Sequence, residues 1–105
     1  MDERDRPAEP SVLVAEIEGA AVAYAWLYQG YLHALYVHPS YQGRGIGTAL
    51  LGEIRRIASG EFQLWVFEAN EGAIRFYERH GARTVRKTDG SSNEEKLPDR
   101  LMSFS

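Results

Sequence analysis

The order of apolar runs predicts a mixed α+β fold: a three-stranded antiparallel meander, a β-α-β unit, then a second helix and closing strands. Three observations carry this reading. Residues 12–17, 20–28 and 31–37 are β-branched and aromatic runs separated only by Glu18-Gly19 and Gln29-Gly30, which are hairpin turn signals. Beyond them the period changes, with Ile46, Leu50, Ile54 and Ile57 on one helical face. Then F-Q-L-W-V-F at 62–67 is largely apolar, as in a strand covered on both faces. A helix separates it from the third strand, so the two strands are expected to run parallel.

The remaining elements follow in order. Residues 1–10 are charged and proline-bearing and read as a flexible lead, with a single domain over 11–105. His38-Pro39 ends the third strand, because proline has no N–H for a ladder. A glycine-rich turn covers 43–47, and 58–60 close the first helix with Gly60 as a left-handed cap. Asn70 caps a helix over 71–80, in which Ala73, Phe76, Tyr77 and His80 share a face, and Gly81 ends it. Residues 83–87 form a strand and 88–93 a polar loop. Residues 97–104 form a proline-interrupted strand at or near an edge.

Bulk composition narrows the function. The 105 residues make one small domain, and 44% are hydrophobic, enough for a core. The net charge of -3 gives no support to a nucleic-acid partner. The absence of cysteine excludes disulfides, thiolate zinc sites and a cysteine nucleophile. Three scattered histidines do not make a metal site. No run reaches the ~18–20 apolar residues of a membrane span, and the lead lacks the apolar core of a signal peptide. The expected location is the cytoplasm.

The chemistry is concentrated in L-Y-V-H-P-S-Y-Q-G-R-G-I-G-T-A-L-L, residues 35–51. A strand runs into a glycine-rich turn and straight into a helix. The first turn of a helix has N–H groups without intrahelical partners, and the helix dipole adds positive potential there, so the end is an anion site suited to phosphate. Gly43, Gly45 and Gly47 lack a Cβ, so the backbone can curl and approach a pyrophosphate closely. Gln42 and Arg44 can add donors at the rim. A phosphate loop would need a lysine after the last glycine, where Thr48 stands. A dinucleotide fold would place its turn after the first strand, whereas three antiparallel strands precede this one.

Q-G-R-G-I-G at 42–47 resembles the acyl-CoA pyrophosphate motif of the GCN5-related N-acetyltransferases, Q/R-x-x-G-x-G/A. The preceding L-Y-V-H-P is similar to that family's central strand. N-E-G-A-I-R-F-Y-E-R-H-G-A at 70–82 is similar to its following helix, and N-E-E-K-L-P-D-R-L-M-S-F to its closing strand. The resemblance covers roughly residues 12–104 and implies the GNAT-like acyl-CoA N-acyltransferase fold, in which the two parallel strands splay apart.

The resemblance implies a site. The pyrophosphate of acetyl-CoA would sit on Gln42, Gly43, Arg44, Gly45, Ile46, Gly47 and Thr48. Leu35 and Val37 would offer main-chain bonds to the pantetheine, with the Val37 amide as oxyanion donor. Asn70 matches an asparagine beside the pantetheine, and Tyr77 a tyrosine that protonates the departing thiolate, unless it only packs. Many members carry a glutamate where Tyr31 stands here. Strand alternation puts Tyr31, His33, Leu35 and Val37 on one face, so His33, whose imidazole can take a proton near neutral pH, is the candidate base. Glu68 is a second candidate; His38 and His80 read as structural.

The family plan begins with a strand and two helices, and this sequence enters at the strand after them. An acceptor pocket left open, or completed by another subunit in a homodimer, is therefore expected. The leading function is acetyl transfer from acetyl-CoA to an amine by direct attack. An acyl-CoA-binding module or sensor without catalysis is the alternative, and an adaptor without CoA affinity is a third reading.

Overall fold

The computed structural model describes residues 10–105, so all of the predicted flexible lead except Pro10 lies outside the described residues. The chain forms two compact units that divide after Gly60.

The first unit is the predicted meander followed by a helix. Strands β1 (Ser11–Ile17), β2 (Ala20–Tyr28) and β3 (Tyr31–Val37) pair antiparallel in that order. At both hairpin turns the two central residues have positive φ: 52° and 82° at Glu18 and Gly19, 52° and 83° at Gln29 and Gly30. That geometry matches the right-handed twist of the flanking strands. A short 3₁₀ turn, Pro39–Tyr41, leads toward helix α1 (Ile46–Ile57). Leu50, Leu51 and Ile54 form its buried stripe. Leu50 joins Val22 and Ala23, with Leu13, Ala15, Ile17, Leu35, Val37, Tyr41 and Ile46 packed around them. Helix α1 ends in a Schellman motif: Gly60 N–H donates to Arg55 C=O at 3.1 Å and Ser59 N–H to Arg56 C=O at 3.3 Å. The left-handed residue expected at Gly60 is thus already reached at Ser59, at φ 58°.

Two bulges break strict alternation. Ala15 faces Ala23 while Glu16 faces Ala21, which leaves Val22 as the extra residue. Trp26 faces Ala34 while Leu27 faces Leu32, which leaves His33 extra. A bulge residue falls out of the period-two pattern. The expectation that His33 shares a face with Leu35 and Val37 therefore fails.

The second unit holds β4 (Phe62–Phe67), α2 (Glu71–Arg79), β5 (Arg83–Thr88) and β6 (Asp99–Phe104). Strand β6 pairs antiparallel with β4 on one side and β5 on the other. It lies one strand in from the edge strand β5, within the expectation of a place at or near an edge. Pro98 precedes the strand instead of interrupting it, and its carbonyl accepts from the Glu68 N–H at 2.9 Å. Proline just ahead of a strand removes no ladder donor. Phe62, Leu64, Val66, Ile74, Tyr77, Leu101, Met102 and Phe104 are buried. Helix α2 buries Ile74 and Tyr77, with Ala73, Phe76 and His80 of the predicted face half-buried beside them. Gly81, at φ 97°, caps it as expected: Ala82 N–H donates to Tyr77 C=O at 3.0 Å and Gly81 N–H to Glu78 C=O at 3.0 Å.

Candidate active site

The glycine-rich turn has the conformation an anion cradle needs. Gly43 and Gly45 adopt φ of 79° and 82°, the left-handed region that glycine enters without steric cost. A Cβ at either position would meet no heavy atom within 4 Å, so backbone conformation, not crowding, demands glycine, and the space above the turn stays open. Gly45 is the N-cap of α1 and offers no side chain to the helix end. The first intrahelical bond runs from Ala49 N–H to Gly45 C=O at 3.0 Å. The amides of Ile46, Gly47 and Thr48 precede it, at the positive end of the helix dipole.

Side chains around the turn fix its shape. The Gln42 side-chain amide donates to the Val37 carbonyl at 3.1 Å, tying the turn to the end of β3. His38 is structural, as expected: its Nδ1 accepts from Ser40 N–H at 3.1 Å and caps the 3₁₀ turn. Its ring meets the Tyr41 ring edge-on at 6.0 Å. The Arg44 guanidinium lies 5.1 Å from the centroid of Tyr41, a cation–π contact that holds the cation beside the turn.

Backbone direction in β3 follows from the register. His38 N–H donates to Val22 C=O at 2.8 Å, in line with the Tyr24–Tyr36 pair. In an antiparallel ladder the intervening residues point their N–H and C=O groups the other way. Leu35 and Val37 therefore turn their main-chain groups away from β2, while their side chains pack against the α1 core. His33 is separated from them. Its imidazole stands on the opposite, exposed face, 4.8 Å from the Trp26 ring and 6.4 and 6.3 Å from Tyr28 and Tyr31.

In the second unit, Asn70 Oδ1 accepts from Ala73 N–H at 3.2 Å and caps α2. Tyr77 is buried one face further along, its ring edge-on to Phe104 at 6.1 Å and 89°, with Phe104 stacked on Phe62 at 4.6 Å. Burial pushes the Tyr77 phenol above its ordinary pKa, so it holds its proton. Glu68, the second candidate base, is engaged. Arg100 donates to both its oxygens, at 2.8 Å from Nε and 2.6 Å from a terminal nitrogen, and also to Thr84 Oγ1 at 3.0 Å. The hydrogen bonds from Arg100 hold the Glu68 carboxyl below its usual range. That makes it a poor proton acceptor.

With this geometry in place, comparison with known proteins is informative. The model of the acetyltransferase (GNAT) family matches residues 1–82. The chain belongs to the GNAT acetyltransferase family. It is 33% identical over 64 residues to the mouse thialysine N-epsilon-acetyltransferase, across 57% of this chain and 38% of that protein. A GCN5-related N-acetyltransferase from Rhodopseudomonas palustris superposes with a TM-score of 0.79 at 27% identity, covering 91% of this chain and 61% of that one. Arabidopsis thaliana Naa50, in complex with the bisubstrate analogue CoA-Ac-MVNAL, gives 0.77 at 26%, covering 90% and 72%. The fold is thus the mixed α+β GNAT acyl-CoA N-acyltransferase fold read from the sequence. The chain spans well under two thirds of the length of the curated GNAT relatives it matches.

Two neighbours of the candidate bases were not singled out from the sequence. Trp26 follows from hairpin arithmetic: a two-residue turn at 29–30 sets Trp26 opposite His33, and the bulge moves the pairing by one while keeping the rings together. Arg100 has no local signal, since it lies 32 residues from Glu68.

Proposed function

We propose that this chain is an N-acetyltransferase that moves the acetyl group of acetyl-CoA to a primary amine by direct attack, within a single acetyltransferase domain over 11–105. The observation that carries the reading is the Gly43–Gly45 turn ahead of α1, in the left-handed conformation with open space above it. The backbone amides from Gln42 to Thr48 bind the pyrophosphate, with Arg44 adding charge. Leu35 and Val37 bond the pantetheine amides, because their main-chain groups turn away from β2. Asn70, whose oxygen caps α2, has its side-chain amide left to bind pantetheine.

The acceptor nitrogen attacks the thioester carbonyl. The C–N bond forms, the carbonyl oxygen gathers negative charge on the Val37 amide, and the C–S bond breaks. His33 takes the proton the amine loses. Tyr77 supplies one to the departing thiolate. A phenol near ~10 is a weaker acid than a thiol near ~8.5, and burial raises it further. Tyr77 therefore acts first as a hydrogen-bond donor, and the proton follows once the sulfur carries charge.

Primary amines are favoured as acceptors by two similar proteins. The mouse protein is named for a lysine-like amine, and the Arabidopsis one is bound to an analogue that joins CoA to a peptide. The cysteine-free composition fits a cytoplasmic enzyme. Among the described residues no helix is long and apolar enough to cross a membrane. A homodimer is part of this reading. The test is CoA release from acetyl-CoA against a panel of small amines, amino acids and peptide N-termini. Turnover on at least one class is expected. Tight acetyl-CoA binding without turnover on any of them would leave a binding module instead.

A further inference from the structure

Four rings meet at the β2–β3 hairpin, and the acyl-transfer reading uses only one of them. The His33 imidazole has the Trp26 indole 4.8 Å away and the Tyr28 and Tyr31 rings 6.4 and 6.3 Å away, tilted against it by between 32° and 52°. Backbone geometry makes this cluster. Strand alternation puts Trp26 and Tyr28 on the outer face of β2, because Ala25 and Leu27 are buried on the other. Tyr28 faces Tyr31 across the turn, and the extra residue of the bulge is His33. Ala34 is the residue directly opposite Trp26, so only a methyl group stands across from the indole. Trp26 and Tyr31 are 40% and 38% exposed, and Tyr28 is half-buried. The ring cluster is therefore open to solvent.

We infer that this cluster is the acceptor subsite, and that it takes an alkylammonium group with no carboxylate beside it. The inference rests on the acyl-transfer reading and names the substrate class of its site. An aliphatic amine with a pKa near ~10.4 arrives as its cation. Aromatic faces attract such a cation within about 6 Å of their centroids, tryptophan most strongly. Charge around the cluster points the same way. No lysine or arginine occurs from residue 11 to 43, so no fixed cation there repels an ammonium or pairs with a ligand carboxylate. The acids of that stretch are Glu16 and Glu18, at the opposite end of β2 from the Gln29-Gly30 turn. The ammonium is thus held by rings alone. A carboxylate partner would favour the charged form and keep the proton on nitrogen. Rings hold the cation more weakly and leave His33, their common neighbour, to receive the proton. The proton passes from nitrogen to imidazole, and nitrogen keeps the lone pair that attacks the thioester. Lysine side chains and aliphatic diamines fit this chemistry. Free α-amino acids do not, because their carboxylate lies one carbon from the reacting nitrogen.

The experiment pairs binding with kinetics on the full chain. Choline is the binding probe, a cation that cannot be acetylated on nitrogen, and 3,3-dimethylbutan-1-ol is its neutral counterpart of the same shape. The chain has two tryptophans, so the Trp26 indole N–H resonance is assigned in a Trp65→Phe background and followed through each titration. Choline should shift it saturably, and the alcohol should not. Tyr31→Leu should weaken choline by about twofold to fivefold. Tyr36→Leu, on the same face but paired with Tyr24 outside the cluster, should leave choline binding unchanged. In turnover, KM for the amide of Nα-acetyl-lysine should rise by about the same factor in Trp26→Leu and in Tyr31→Leu, with acetyl-CoA affinity unaltered, and glycine should be a poor acceptor. Either variant suffices if the other fails to fold. No response to choline, an equal response to the alcohol, or an unchanged amine KM in the folded variants would overturn the assignment. Absence of turnover on every amine would overturn the acyl-transfer reading and the acceptor role with it, while the choline titration would still decide whether the rings bind a cation.

Discussion

The Gln42 side chain reaches back 3.1 Å to the Val37 carbonyl, so the glycine-rich turn and the end of β3 are held as one piece. Gln42→Ala removes that tie. A single hydrogen bond of this kind contributes about 0.5–1.5 kcal/mol net. Thermal stability should change little, because the residue is exposed. Acetyl-CoA affinity should fall by about threefold to tenfold in calorimetric titration, because the amides of the turn lose their fixed aim. Unchanged affinity would mean that the tie does not shape the cradle.

Tyr77 separates packing from chemistry. Its ring is fixed against Phe104 and Phe76, and phenylalanine would keep those contacts. Tyr77→Phe should therefore melt within a few degrees of wild type and bind acetyl-CoA normally, while kcat drops by about 10²–10⁴. Tyr77→Ala, by contrast, opens a cavity and should cost about 3–5 kcal/mol of stability. Full activity in Tyr77→Phe would return the tyrosine to a packing role.

His33 calls for a pH profile. If its imidazole accepts the amine proton, kcat/KM carries an acid limb that His33→Asn lacks, at a reduced maximum rate and with unaltered CoA binding. An unchanged limb in His33→Asn would assign the proton to water or to the acceptor itself.

Two pKa shifts contribute to the pH dependence of stability. The Glu68 carboxyl is lowered by Arg100. Its contribution is therefore present above the ordinary carboxylate range near ~4.3 and fades as pH falls through the lowered folded value. The Tyr77 phenol is raised by burial. Its folded state keeps the proton longer than the unfolded chain, so stability is retained below about 10 and declines as pH climbs further. Denaturant midpoints measured against pH should show both edges. Glu68→Gln should flatten the acid edge and Tyr77→Phe the alkaline one.

Local rules made part of this molecule readable from its residues. Glu18-Gly19 and Gln29-Gly30 set two hairpins because a tight turn needs left-handed residues. Gly43 and Gly45 announced the cradle for the same reason. Asn70 and Gly81 bounded α2 through capping. What stayed hidden depended on partners distant in sequence. The bulge at His33 arises from how β3 meets β2, and nothing in Y-L-H-A-L marks it. That β6 is uninterrupted and paired on both sides depends on Pro98 falling one residue before the ladder begins. The Glu68–Arg100 pair, which removes Glu68 from the roster of bases, joins residues that only folding brings together.

The central claim is that the turn at Gly43–Gly45 binds acetyl-CoA, and thermal unfolding with and without that ligand tests it most directly. Ligand at about a hundred times its dissociation constant stabilises by ~2.7 kcal/mol, which for a domain this small raises the midpoint by on the order of 10 °C. Gly45→Val forces a β-branched residue to a φ of 82° without steric contact nearby. We predict that it folds with a lowered midpoint and shows no shift with acetyl-CoA. No shift in the wild-type protein at saturating acetyl-CoA, or an equal shift in Gly45→Val, would contradict the account.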